Sequence, residues 1–346
     1  MNSIVKISLK AWSIILIIIT LITLSIRYQF FGEKFFIDSL LILQAERFGS
    51  LYVDGFSSAA TFFRYINLID VDTLFGWSIY ISVLSFFINL YILKDEKTIS
   101  LGKLLFIITG MSLWYLFAVG ITKEVPQTLF YVMIYYFCCK NNIIKSMNVK
   151  VTIGALILAV SAYIFRPYYI LTSFFTIIVF LIMIKVGHNN RVLRVTALCM
   201  LSVLVFLVVT KIVLPDKANM ILTLRSGSYQ YLAGNTDSLI NDVFENSSNN
   251  LIVYMVNYFV NATRLMAPVE LLAIGKVYYL PFLIYQFVFS YNYFKNIKES
   301  NINNESFLSI VFITSFIMVS VIMEPDFGSW ARHQSVCWIL SKNLLK

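Results

Sequence analysis

Charge is scarce in this sequence. Only 13% of its 346 residues are Asp, Glu, Lys or Arg, against roughly 25% in a soluble domain. Histidine is scarcer: His188 and His333 are the only two, too few for a histidine-based metal site. The four cysteines, Cys138, Cys139, Cys199 and Cys337, form no C-x-x-C pair. Most lie in apolar runs, where small buried side chains are the expected reading rather than disulfides or metal ligands. No P-loop, G-x-G-x-x-G or H-E-x-x-H pattern is present, so ATP-driven transport within this chain has no support. No internal repeat is found. No metal and no cofactor is expected.

Apolar residues fill the space left by charge. They make up 59% of the chain, with a mean hydropathy of +0.79. They come in blocks of roughly 15–22 residues, the length a helix needs to cross about 30 Å of hydrocarbon. A transmembrane barrel would show shorter alternating segments. The expected fold is therefore all-α: one polytopic transmembrane domain over residues 1–346 with about 9–10 transmembrane helices. The apolar runs are 11–26, 73–93, 104–122, 125–139, 151–165, 168–184, 195–214, 272–294 and 306–323, with 335–345 as a partial tenth. The first lacks a small-residue cleavage site and reads as a retained signal anchor.

The basic residues orient the chain. With a cytoplasmic N-terminus, Lys6, Lys10 and the connections 94–103, 140–150, 185–194 and 295–305 share one side. That side holds thirteen basic and four acidic residues, which is the whole net charge of +9. The positive-inside rule thus accounts for the basic balance without a nucleic-acid partner. Two larger outer loops are expected, about 27–72 and about 215–271, as re-entrant or interfacial insertions. The run 251–270 is read as interfacial, because Asn257, Asn261 and Arg264 would be costly inside a bilayer.

The unusual polar residues collect on the opposite side. Lys123-Glu124-Val125-Pro126 and Arg166-Pro167-Tyr168-Tyr169 are tight connections, and Arg225, Arg264 and Glu270 belong to the large loop. After the run 306–323 comes Glu324-Pro325-Asp326-Phe327-Gly328-Ser329-Trp330-Ala331-Arg332-His333. Pro325 and Gly328 are expected to keep this stretch out of a plain helix. Arginine grips phosphate oxygens with paired donors. Transfer from a diphosphate-linked sugar needs cations for the leaving group and one base for the acceptor hydroxyl. Asp326, slightly ahead of Glu324, with His333 and Glu124 next, are the candidate bases. Arg166, Arg332, Lys123, Arg264 and Arg225 are the candidate diphosphate ligands. Read structurally, the same residues are helix caps, interface anchors and a local Lys123–Glu124 ion pair.

These patches, with Phe36-Ile37-Asp38-Ser39 and the Arg264-to-Gly275 spacing, resemble the Wzy-type polymerases of bacterial O-antigen and capsule synthesis, GT-C-like membrane glycan polymerases. The resemblance implies an inner-membrane enzyme with a cytoplasmic N-terminus. It would join undecaprenyl-diphosphate-linked oligosaccharide repeat units on the outer face, without metal or nucleotide sugar. Membrane lipid, a chain-length regulator and a flippase would be its partners. A flippase for the lipid-linked unit is the second reading. Another polyprenyl-phosphate-dependent glycosyltransferase or an acyltransferase is the third. Ionisable residues gathered at one face favour the polymerase over a transporter.

Overall fold

The computed structural model describes residues 4–48, 55–187, 189–232, 238–244, 250–275, 277–299 and 302–345, without the side chains of 33, 34, 224–232 and 278. It is about 80% helical. Contacts divide the chain into two compact units. One comprises Met1–Met133, Val160–Pro167 and Arg332–Lys346; the other comprises Ile134–Ala159 and Tyr168–Ala331.

In the first unit, a short strand β1 (Ile4–Lys6) leads into helix α1 (Leu9–Phe30). Ser8 starts α1 by accepting from the Ala11 amide at 3.1 Å, which satisfies one orphan donor of the first turn. Trp12, Leu16, Ile19, Thr23 and Arg27 recur at helical spacing on its buried stripe. Ile14, Ile17, Ile18, Leu21 and Ile22 are exposed, an apolar flank of the kind that faces lipid. Helices α2 (Ile37–Phe48) and α3 (Gly55–Ile66) pack on each other. Arg64 donates to the carbonyls of Glu46 at 2.7 Å and Ala45 at 3.1 Å, which satisfies carbonyls at the end of α2. Helix α4 (Leu74–Leu93) is capped by Thr73. Strand β2 (Thr98–Ser100) then pairs antiparallel with β1, Val5 opposite Ile99. Helix α5 (Leu101–Phe117) packs with α4 around α1. Helix α6 (Glu124–Ile134) runs on into a π-helical turn, Tyr135–Lys140.

Glu96, just before β2, accepts from Lys342 at 2.7 Å and pairs with Lys103 at 3.1 Å. Its carbonyl accepts from the Trp12 indole at 3.2 Å. The N-terminal strand, the connection 94–103 and the end of the chain are thereby fastened together. The expectation put the first two on one face of the membrane.

The chain continues through α7 (Met147–Ile164), α8 (Tyr169–Lys185), α9 (Arg191–Val213) and α10 (Pro215–Leu232). Then follow α11 (Leu251–Met266), α12 (Glu270–Ile274), α13 (Leu280–Lys298), α14 (Asn304–Met323), α15 (Phe327–Val336) and α16 (Trp338–Ser341). In the second unit α14 is the core. It is buried on all sides from Leu308 to Ile322 and packs against α8, α10, α11, α13 and the π turn. Two of its hydroxyls link it to neighbours: Thr314 meets the Tyr293 hydroxyl at 2.7 Å and Ser315 meets Thr176 at 2.8 Å. Polar links of this kind join helices across apolar interfaces.

Among the described residues, five helices are long and apolar enough to cross a membrane: Leu9–Phe30, Leu74–Leu93, Met147–Ile164, Arg191–Val213 and Asn304–Met323. Leu101–Phe117 and Tyr169–Lys185 are apolar but shorter. Helices occupy the remaining expected runs with shifted ends. The run expected from 272 starts its long helix only at Leu280, because Gly275 (φ 69°) ends α12 and Pro281 opens α13, a role that suits its fixed φ and missing N–H. The stretch 324–326 is non-helical as expected, but Gly328 lies inside α15. A three-residue ribbon, β1–β2, is the one sheet among the described residues.

Helix α11 meets the polar cost that its sequence raised. Asn257 both donates to and accepts from the Phe244 backbone, at 2.8 and 3.0 Å. Asn261 donates to Asp242 at 2.9 Å. Ile252, Val256 and Phe259 are exposed instead.

Gly154 of α7 lies against the ring of Phe312 in α14, and a Cβ there would overlap that ring and sit 3.3 Å from Cys138 Sγ. Over-packing a dense core costs about 1–3 kcal/mol. Gly154→Ala is therefore expected to lower the thermal midpoint of the purified protein in detergent. The double variant Gly154→Ala/Phe312→Leu should recover part of that loss.

Candidate functional site

The turn between α5 and α6 is built to carry two charged residues. Gly120 has φ of 149°, and a Cβ there would lie 3.1 Å from Ser78 Oγ and 3.2 Å from the Arg27 guanidinium. Only glycine adopts that backbone comfortably in so tight a place. Arg27 donates to the Val119 carbonyl beside it and lies over the Phe36 ring. The Thr122 hydroxyl donates to the Ala118 carbonyl at 2.6 Å, and the Val125 amide donates to Thr122 O at 3.3 Å. Glu124 then occupies the first turn of α6, where the helix dipole favours a carboxylate. Thr128 one turn later donates to Glu124 O at 2.7 Å and accepts from the Trp114 indole at 3.0 Å.

Glu124 is the hub. Its side chain is 1% exposed. Its Oε1 accepts from Arg166 Nη2 at 2.6 Å and lies 3.2 Å from Arg332 Nε and 3.3 Å from His333 Nε2. Arg166 is brought there by the end of α7, where both the Phe165 and Arg166 amides donate to Ser161 O and Pro167 stops the helix. Gly55 lets α3 approach this corner, since a Cβ on it would lie 2.6 Å from Phe165 O. Arg332 and His333 are consecutive residues of α15.

Arg166 Nη1 lies 2.5 Å from His333 Nε2. A guanidinium has donors only, so Nε2 accepts and a neutral ring carries its proton on Nδ1. That assignment comes from hydrogen-bond chemistry rather than from a visible proton. The longer approach of Nε2 to Glu124 would become a hydrogen bond only if Nε2 carried a proton, at the expense of the Arg166 bond. The shorter contact decides between them.

A second carboxylate sits at the open edge. Asp38, in the first turn of α2, has Oδ2 3.4 Å from Arg332 Nη1 and 3.6 Å from Lys123 Nζ. Lys123 also stands over the Phe56 ring at 3.5 Å. Among the described residues the group thus holds Lys123, Arg166, Arg332 and His333 with Glu124 and Asp38. Lys123 pairs with Asp38 rather than with its neighbour Glu124, so the local ion pair expected from the sequence is replaced by two longer-range ones.

Glu124 and Lys123 precede the apolar run 125–139. Burial alone would raise the Glu124 carboxyl, but Arg332 and Arg166 outweigh it and hold Glu124 well below the usual carboxylate range. Burial pushes the Lys123 ammonium below the usual lysine range, with Asp38 pulling the other way. An acid held so firmly ionised is a poor proton acceptor. Its chemical role is to fix the two guanidinium groups, Arg166 and Arg332, in place beside His333. Gln127, one turn along α6, and Gln334, beside His333, are buried with no partner for their amides among the described residues. The surroundings of Glu124 are therefore polar beyond its ions.

The other expected residues belong to the second unit. Arg264 Nε donates to Glu270 at 2.6 Å, and Nη1 donates to Asn241 O at 2.5 Å and to Asn261 Oδ1 at 3.1 Å. It ties α11 to the segments around it. Glu324 is buried at the end of α14. Asp326 Oδ1 accepts from the Ser329 amide at 2.9 Å, and its carbonyl accepts from the Trp330 amide at 3.1 Å. This is an N-cap for α15. Backbone bonds from Ile240 to Pro325 O and from Phe327 to Ser238 O, both 2.9 Å, pin it further. Arg225 lies in α10, and its side chain falls outside the described residues, as does His188. No group of His, Cys, Asp and Glu suited to a metal is found among the described residues.

Sequence reasoning passed over Asp38 and Arg27. Asp38 was visible in the Phe36-Ile37-Asp38-Ser39 patch but had no partner along the chain. Arg27 closes the first apolar run, where a cation ordinarily anchors to the interface. Compared with protein-family models, with curated proteins and with solved structures, the chain matches none.

The cap geometry of Asp326 has a direct test. Asp326→Ala is expected to cost about 0.5–2 kcal/mol of stability. Asp326→Asn, which still accepts from Ser329, should keep the thermal midpoint near that of the parent. Equal losses in both variants would show that the charge, not the cap, holds the segment.

Proposed function

We propose that this chain is a multi-pass enzyme of the bacterial inner membrane. It polymerises undecaprenyl-diphosphate-linked oligosaccharide repeat units into O-antigen or capsular polysaccharide on the outer face. The observation that carries this reading is the cation group gathered around Glu124 and Asp38. Lys123, Arg166 and Arg332 come from three distant parts of the sequence and converge on one place. A diphosphate leaving group spreads its charge over several oxygens, and arginine forks with a lysine answer it. Fixed cations stabilise the charge that develops as the sugar–diphosphate bond breaks.

The positive-inside pattern puts Lys6, Lys10 and the connections 94–103, 140–150, 185–194 and 295–305 on the cytoplasmic side. The pairing of β1 with β2 supports a shared side for the first two. The reading keeps about nine or ten spans: the five long helices, the two shorter apolar ones, the runs 125–139 and 272–294, and 335–345 as a partial tenth. A flippase, a chain-length regulator and membrane lipid are the partners this reading requires. Another glycosyltransferase acting on a polyprenyl-phosphate donor would use the same cations, and a flippase would bind the same lipid.

A deletion strain separates the readings. Single capped repeat units at the surface are expected for a polymerase; loss of all surface glycan would assign the chain to flipping instead. In the complemented strain, Arg166→Ala is expected to give short chains at a normal protein level. Arg166→Lys should rescue only in part, because lysine cannot hold Glu124 and His333 with two nitrogens at once. Full-length glycan from Arg166→Ala would remove this residue from substrate binding.

A further inference from the structure

We propose that Asp38 is the general base that takes the proton from the acceptor hydroxyl, an inference that rests on the polymerase reading above. Three proton acceptors belong to the ion group: Glu124, His333 and Asp38. Glu124 is enclosed, with its side chain 1% exposed and one oxygen within 3.3 Å of three cationic or hydrogen-bonding side chains. His333 is 9% exposed at its side chain, and its Nε2 is occupied by Arg166 at 2.5 Å. Asp38 differs in both respects. Its side chain is 33% exposed, and its two cations stand off at 3.4 and 3.6 Å, beyond the usual 2.7–3.2 Å of a hydrogen bond from nitrogen.

Asp38 therefore holds loosely the same two cations, Lys123 and Arg332, that a diphosphate would take. When the diphosphate binds, the cations turn to it, and like charge keeps the carboxylate off the phosphate oxygens. The carboxylate stays within reach of the bond that breaks. The acceptor hydroxyl oxygen then bonds to the anomeric carbon of the donor. The carbon–oxygen bond to the diphosphate breaks, and its electron pair leaves with the diphosphate, whose charge Lys123, Arg332 and Arg166 receive. The hydroxyl proton passes to the Asp38 carboxylate, which later releases it to water. Two carboxylates in unlike surroundings divide the labour: the enclosed one orients cations, the open one moves a proton.

The test uses the full-length protein in two assays: glycan length in the complemented deletion strain, and binding of inorganic diphosphate by the purified protein in lipid nanodiscs. Loss of a positioned base lowers the rate by about 10²–10⁴-fold. Asp38→Asn is thus expected to give unpolymerised units while binding diphosphate at least as tightly as the parent, because a competing carboxylate is gone. Asp38→Glu should restore part of the chain length. Should Asp38→Asn fail to accumulate, Asp38→Ser is judged by the same criteria. Long chains from the Asn or Ser variant would overturn the assignment, and so would loss of diphosphate binding together with polymerisation, which would make Asp38 a support for the cations. Failure of the polymerase reading looks different: Arg332→Ala would then leave both diphosphate binding and chain length untouched.

Discussion

A carboxylate taken out of water in a largely apolar chain stays charged only if cations reach it. Glu124 meets that condition through Arg166 and Arg332, with His333 beside them, supplied by the ends of two other helices. The arrangement constrains much of the first unit. Gly120 must bend so that Lys123 and Glu124 can follow α5, and Gly55 must leave room for the turn that presents Arg166. Removing one partner of such a buried pair typically costs about 3–5 kcal/mol, because the charge left behind is uncompensated. Glu124 thus binds separate pieces of chain together and, in doing so, sets the spacing of the cations.

The second unit is organised differently. Its centre, α14, is apolar and enclosed along nearly its whole length. Its hydroxyls serve as single links to neighbouring helices, and Gly154 admits the Phe312 ring. Several polar residues elsewhere in this unit serve as fasteners. Asn257, Asn261 and Arg264 hold the chain around residues 241–244 and 270 onto α11, and Asp326 starts α15. Residues that looked alike in sequence, charged groups at the ends of apolar runs, thus divide into fasteners and members of the Glu124 group.

Both the proposed donor site and the proposed base rest on one contrast of exposure. Glu124 is sealed in, while Asp38 and Arg332 are open at 33% and 28% of their side chains. In that proposal, a lipid-linked substrate arriving at the group would meet Arg332, Asp38 and Lys123 first. Glu124 stands behind them as a fixed counter-charge.

The sequence alone determined that the protein is helical and apolar enough for several membrane-crossing helices, because hydropathy and run length are local properties that a helix expresses directly. It also determined that helices break at Pro167 and around residues 324–326, since proline acts through its own backbone; the break at Gly275 and Pro281, inside a run read as continuous, appeared only in the structure. It drew attention to Lys123, Glu124, Arg166, Arg332 and His333 by their rarity. Only the tertiary structure decided which of them meet. Glu124 lies 42 positions from Arg166, and Asp38 lies 294 from Arg332, separations over which no periodicity carries information. Lys123 reaches Asp38 rather than the adjacent Glu124, and Asp326, foremost on sequence grounds, is spent on capping α15. The physical reason is the same in each case: a side chain's role follows from its partners and its exposure, and both are fixed by packing between segments far apart in the chain.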